Sequence, residues 1–453
     1  MEQRSAMRML RALLALLLSV SLTVPALAQS ILRDAETEAF FKDISRPMIV
    51  AAGLDPKSVQ IVLVGDPSIN AFAGGGQNVF IHSGLIAAAG SVNDLQGVIA
   101  HELGHLSGGH NVRSGEGSGP ASKISILSLL AAAAAIAAGA GEAGVGILGL
   151  GTSVAQSQYL AFSRNQESAA DQAGAQFLSK AHLSGKGSIA FFRRLQGDEY
   201  RYAVPQDNEY ARTHPLSSTR IKILEDQYKA DPAWNAPTDP ALNARFLRIK
   251  AKLIGYVDEP RRVMTLYPES DQSVPGHYAR AYAWHRSAYI DQATGEVDKL
   301  LKTQPDDPFF LELKGQILLE SGKVRDAIPV LRRAVQGAPT EPLIATTLGH
   351  ALIATEDRAD FAEAKPLLKL AIARDRENPF AWYQLGVIYD REGDEPRAAL
   401  AAAERYNLEG NAKGAAANAG LARAGLPRGT PDWIRADDIA MVAKNELDKK
   451  KRR

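Results

Sequence analysis

The chain has 453 residues, 45% of them hydrophobic and 23% charged, with 52 Lys+Arg against 51 Asp+Glu and no cysteine. That length calls for two or three domains, and the ordinary apolar and charged fractions exclude wholesale disorder and a polytopic membrane protein. A net charge of +1 excludes general nucleic-acid binding, and the lack of cysteine leaves His, Asp and Glu to hold any metal.

Arg4, Arg8 and Arg11 accompany an apolar run over 13–24, and Ala26-Leu27-Ala28 is a small-x-small cleavage signal. Residues 1–28 therefore predict a secretory signal peptide, with an uncleaved anchor as the alternative. In a bacterial chain the destination would be the periplasm.

From 29 to 235, helical and strand patterns mix. Residues 59–64 and 78–82 read as strands, with Asn70-Ala71-Phe72-Ala73 between them, before the turn signal Gly74-Gly75-Gly76. Leu95, Val98, Ile99, Leu103 and Leu106 form one stripe of a helix over 94–107, which Gly108-Gly109 ends. Residues 124–150 are Ala- and Gly-rich and long enough to span a membrane. Metal-binding residues are expected on both sides of this segment, which excludes a single crossing of a core about 30 Å thick. The expectation is two helices packed on the domain and turning at 139–142, with a hairpin that dips into a membrane or grips substrate as the alternative.

Residues 236–273 predict a helical connector. A repeat follows over 274–425: Gly315, Gly349 and Gly386 are spaced 34 and 37, as are Pro308, Pro342 and Pro379. Ala327, Ala364 and Ala398 are spaced 37 and 34, which places three extra residues within 355–361. The period, the small residues and the terminal prolines resemble tetratricopeptide repeats, helix pairs whose concave face grips peptide or protein. Residues 426–453 read as a basic tail, with a short helix at 433–447 and a solvated Lys-Lys-Lys-Arg-Arg end. All chemistry-bearing motifs precede residue 273, so a chain cut there is expected to fold and bind metal.

His101-Glu102-Leu103-Gly104-His105 is an HExxH sequence. On a helix, residues i and i+4 share a face, so both imidazoles reach one zinc ion, and Glu102 is placed to take a proton from water. Two residues compete to be the third ligand. His110 falls one residue short of the metzincin spacing, and on a continuous helix it is rotated roughly 140° from His105. Glu167, in Glu167-Ser168-Ala169-Ala170-Asp171, is the better candidate, with Asp171 one turn on to hydrogen-bond a ligand imidazole. His214, six residues before Arg220, is suited to donate to an oxyanion or to occupy the open metal position.

Residues 70–220 resemble the gluzincin peptidases of the HtpX and CAAX-prenyl-protease family. The matching segments are Asn70 to Ala73, Gly84-Leu85, His101 to His105 with His110, Glu167 to Asp171, and His214-Pro215 with Arg220. The resemblance implies one Zn²⁺ held by His101, His105 and Glu167, with Glu102 as base. It also implies a late histidine, His214, that approaches the metal and restrains activity, and a strand at Asn70–Ala73 that pairs with extended substrate. The expected fold is mainly α: a gluzincin-type peptidase domain with a small β-sheet, then an α-solenoid of tetratricopeptide repeats. The expected function is a secreted zinc metalloendopeptidase acting on protein or peptide substrates in envelope or outer-membrane protein assembly and quality control, with assembly machinery engaged through the repeats. The alternative is a periplasmic chaperone or assembly factor that works by binding.

Overall fold

The computed structural model describes residues 30–110, 127–128, 141–202, 214 and 217–451. The expected signal peptide and most of the apolar segment 124–150 lie outside these residues. Among the described residues, no helix is long and apolar enough to cross a membrane.

The small sheet comprises β1 (Ser30–Ile31), β2 (Gln60–Gly65), β3 (Ala71–Gly74) and β4 (Asn78–His82), in the order β1-β2-β4-β3. β2 and β4 run parallel, and the outer strands pair antiparallel, so β3 is an edge. Ala71 and Ala73 are buried and Phe72 is half-buried, the alternation of a strand with one face on a core. Phe72 stacks on Phe80 of β4 at 4.9 Å, a cross-strand pair that holds the register.

Helices α1 (Ala35–Ala51), α2 (Ser83–Ala88) and α3 (Val92–Ser107) pack against this sheet. Ser91 caps α3 by accepting the Asp94 N–H, and the Asp94 carboxylate reaches back to the Gly90 N–H at 2.8 Å. Every residue from Val92 to His105 is buried, so α3 needs neighbours on all sides. They are α4 (Gly141–Lys180) and α5 (Lys186–Tyr202). A Cβ on Gly104 would lie 2.5 Å from the Ala170 carbonyl oxygen, and one on Gly174 would lie 3.0 Å from the Ala100 backbone. Helices α3 and α4 therefore meet backbone to backbone. The expected turn at 139–142 is not borne out at its second half: Gly141 and Glu142 open α4, which runs unbroken to Lys180.

After α6 (Ser218–Lys229) comes α7 (Pro240–Val257), then α8 (Pro260–Leu266). These correspond to the helical connector, yet α7 buries Phe246, Ile249 and Leu253 in the same core as Phe40 and Ile99. The repeats are helix pairs: α9 (Val274–Arg286) with α10 (Ile290–Thr303), α11 (Pro308–Glu320) with α12 (Val324–Gly337), α13 (Pro342–Ile353) with α14 (Arg358–Arg374), and α15 (Pro379–Arg391) with α16 (Glu395–Leu408). Gly315 lies against Leu331 and Gly349 against Leu368, where a Cβ would collide, so the repeated small residues do allow close pairing. The three extra residues lengthen the turn before α14 and the helix itself. The tail is more ordered than its composition suggests. After α17 (Ala412–Gly425), α18 (Pro431–Lys451) covers the end of the array with Ala436, Ile439 and Ala443.

The start of α1 is held by the repeats. Ala35 packs with Leu311, Ala334 and Ile344. Glu36 is buried, accepts from Tyr278 Oη at 2.8 Å and forms an ion pair with Arg248, whose Nε is 2.5 Å away. Lys252 lies 2.5 Å from Asp34 and 3.3 Å from Glu36, and Arg248 also grips Asp307 at 2.7 and 2.9 Å.

Candidate metal centre

Three elements converge. α3 supplies His101 and His105, one turn apart on one face, with Glu102 beside them. α4 supplies Glu167 and Asp171, also one turn apart, brought close by the Gly104–Gly174 crossing. The third element is the segment entering α6: His214, and Arg220 in the first turn, where Ser217 caps the helix. His101, Glu102, His105, Glu167, Asp171 and His214 are all buried.

His101, His105, Glu167 and His214 each offer one atom to a cluster within which all lie less than 4.8 Å apart. His101 Nε2 is 3.1 Å from His105 Nε2, 3.2 Å from His214 Nδ1 and 3.4 Å from Glu167 Oε2. Glu167 Oε1 is 3.3 Å from His105 Nε2 and 3.1 Å from His214 Nδ1. A tetrahedral zinc with donors at about 2.0–2.1 Å has donor–donor edges of about 3.3 Å. These five distances, measured to both oxygens of Glu167, lie near that figure, and imidazole nitrogen with carboxylate oxygen is the donor chemistry of zinc. The residues therefore fit one Zn²⁺.

Charge points the same way. Burial pushes the Glu167 carboxyl up, but the three imidazoles around it outweigh burial and hold it well below the usual carboxylate range. Burial likewise opposes ionisation of Asp171, which Arg220 and His101 hold at about 2. Burial disfavours charge on His101, yet Asp171 and Glu167 raise it to about 10. Burial and the neighbouring His101 push His105 down. Two buried carboxyl groups are thus held ionised where a dication would satisfy them.

The partners of these groups are specific. His101 Nδ1 lies 3.0 Å from Asp171 Oδ1. Arg220 clamps Asp171 through Nε at 2.6 Å and Nη2 at 2.8 Å, and its Nη1 is 3.0 Å from Glu167. Glu102 Oε2 accepts the Ala73 N–H at 3.1 Å, which ties it to the edge strand. Its Oε1 is buried without a hydrogen-bond partner, 3.6 Å from His214 Nε2. Of the four strand residues expected near substrate, Ala71, Phe72 and Ala73 form β3, and Asn70 precedes it, its carbonyl accepting the His82 N–H at 3.0 Å.

Two contacts were not anticipated. The Ala73–Glu102 bond is a backbone contact that no side-chain pattern signals. His110 is outside the donor cluster, yet its Nδ1 is 2.9 Å from His105 Nδ1. The signal for it was Gly108-Gly109, which ends the helix and voids any rotation argument along a continuous one.

A buried HExxH helix, completed by a glutamate on a second helix, defines a zinc metalloendopeptidase site. Residues 10–228 match the model of Peptidase family M48. Among curated proteins, the beta-barrel assembly-enhancing protease of Yersinia pestis is 26% identical over 359 residues, covering 77% of this chain and 71% of that protein. The protein of the same name from Escherichia coli (strain K12) is 24% identical over 355 residues, again covering 77% and 71%. The mitochondrial metalloendopeptidase OMA1 of Schizosaccharomyces pombe is 26% identical over 190 residues, 42% of this chain and 52% of that one.

Proposed function

We propose that the chain cleaves extended segments of protein clients outside the cytoplasm, in the assembly and quality control of envelope or outer-membrane proteins. The observation that carries the reading is the cluster of four donor residues with Glu102 beside it, bonded to an edge strand. His101, His105 and Glu167 hold the zinc ion, which when bound polarises the scissile carbonyl. Glu102 takes a proton from the attacking water and passes it to the leaving amine. The Ala73 N–H holds that base in register with β3. A substrate that adds a strand to this edge is oriented through its backbone, with little demand on its sequence. Asp171, fixed by Arg220, orients His101. The repeats hold clients near the site. The names of the relatives in Yersinia pestis and Escherichia coli support the envelope role, and residues 1–28 support export.

A second reading, a chaperone or assembly factor that acts by binding, draws on His214, whose Nδ1 stands at the fourth vertex. Glu102→Gln separates the two. The peptidase reading expects zinc retained and casein cleavage reduced by about 10²–10⁴-fold. It also expects client processing to be lost. A Glu102→Gln variant that still supports client assembly in cells would favour binding.

A further inference from the structure

His101 and His105 turn Nε2 toward the same point. An imidazole that offers Nε2 as a lone pair carries its proton on Nδ1. That N–H needs an acceptor, and such outer partners fix the ring and strengthen it as a ligand. For His101 the partner is Asp171, at 3.0 Å. For His105 it is a different kind of group: His110 Nδ1 at 2.9 Å, with the rings edge-on at 78° and centroids 5.0 Å apart.

The local chain is built for this contact. α3 ends at Ser107, and Gly109 takes φ +63°, a left-handed conformation that turns the chain back over the last helical turn. Gly108 lies directly under the returning ring, where a Cβ would be 2.5 Å from His110 Nε2. The two glycines therefore serve different ends, one reversing the chain and the other making room for the imidazole.

We propose that His110 is a positioning residue for the metal. Its Nδ1 accepts the Nδ1–H of His105 and so fixes His105 in the tautomer that ligates through Nε2. The inference rests on the zinc-peptidase reading and deepens it. The choice of a neutral acceptor has a physical reason. Glu102, Glu167 and Asp171 already place three buried carboxyl groups here, beside one arginine, Arg220. An imidazole orients His105 without adding a fourth negative charge.

The test measures the zinc dissociation constant of the full chain by chelator competition, with the visible spectrum of the Co²⁺-substituted protein as a report on ligand geometry. His110→Phe fills the space but cannot accept, and should weaken zinc binding about 10–100-fold and alter the cobalt spectrum. His110→Asn, whose Oδ1 can accept near the same place, should stay within about threefold of the parent, a small part of that loss. Zinc binding in His110→Phe as tight as in the parent overturns the proposal. Equal losses in His110→Phe and His110→Asn also overturn it, because the ring would then act by shape. A parent chain that takes up no zinc overturns the metal reading and this inference together. A zinc-loaded parent with an unaffected His110→Phe overturns this inference alone.

Discussion

His214 reaches the site with Nδ1 toward His101 and Glu167 and Nε2 toward Glu102, so one ring stands both at a ligand vertex and against the base. This placement favours restraint over oxyanion stabilisation. His214→Ala is therefore expected to cleave casein faster than the parent, checked by initial rates at equal zinc loading. A loss of about a hundredfold would instead assign the oxyanion role. His101 governs a second outcome. Against burial, Asp171 and Glu167 raise its pKa from 6.5 to about 10. Its contribution to the stability of chelator-treated protein is thus full below pH 6.5 and is lost as pH rises through 10. His105, pushed down, acts in the opposite direction, but only near and below pH 6.5. Chelator-treated protein should lose unfolding free energy between pH 6.5 and 10, measured by denaturant titration, and zinc binding should release a proton. The pairings of His101 with His105 and of Glu167 with Asp171 were legible because helix periodicity fixes which neighbours share a face. His110 was read along a helix that Gly108 and Gly109 in fact end.

The crossing of α3 and α4 sets where Glu167 sits. Gly104→Ala puts a methyl group 2.5 Å from a backbone oxygen, with no flexible side chain to yield, so α4 must move. The expected cost is about 1–3 kcal/mol in unfolding free energy, with zinc affinity falling as Glu167 withdraws. Calorimetry and chelator competition would check both. In the turn between α9 and α10, Ala288 sits at φ +59°, in the left-handed region. Ala288→Gly should stabilise the chain by about 1 kcal/mol. At this scale the sequence pointed to β2, β4 and α3 to within a residue or two, because each is bounded by its own turn or cap. It could not show that β3 is an edge or that α4 begins at Gly141, since both depend on what packs alongside.

The connection between peptidase and repeats was the least legible part, because it is made by charged and polar residues scattered over Asp34, Glu36, Arg248, Lys252, Tyr278 and Asp307. No spacing links them. The clean cut expected at residue 273 would strip Glu36 of Tyr278 and Arg248 of Asp307. A chain truncated there should bind zinc only weakly and unfold at lower denaturant than the whole protein. Lys252→Met should cost about 3–5 kcal/mol, because it leaves Asp34 without its cation and Glu36 with Arg248 alone. The same junction sets an order of events as the chain is made. Glu36 and its partner Tyr278 are 242 residues apart. At about 5–20 residues per second, the opening helix waits roughly 10–50 s for the groups that hold it. A growing chain thus carries His101, His105, Glu167 and His214 well before α1 can be locked down by the residues that hold it.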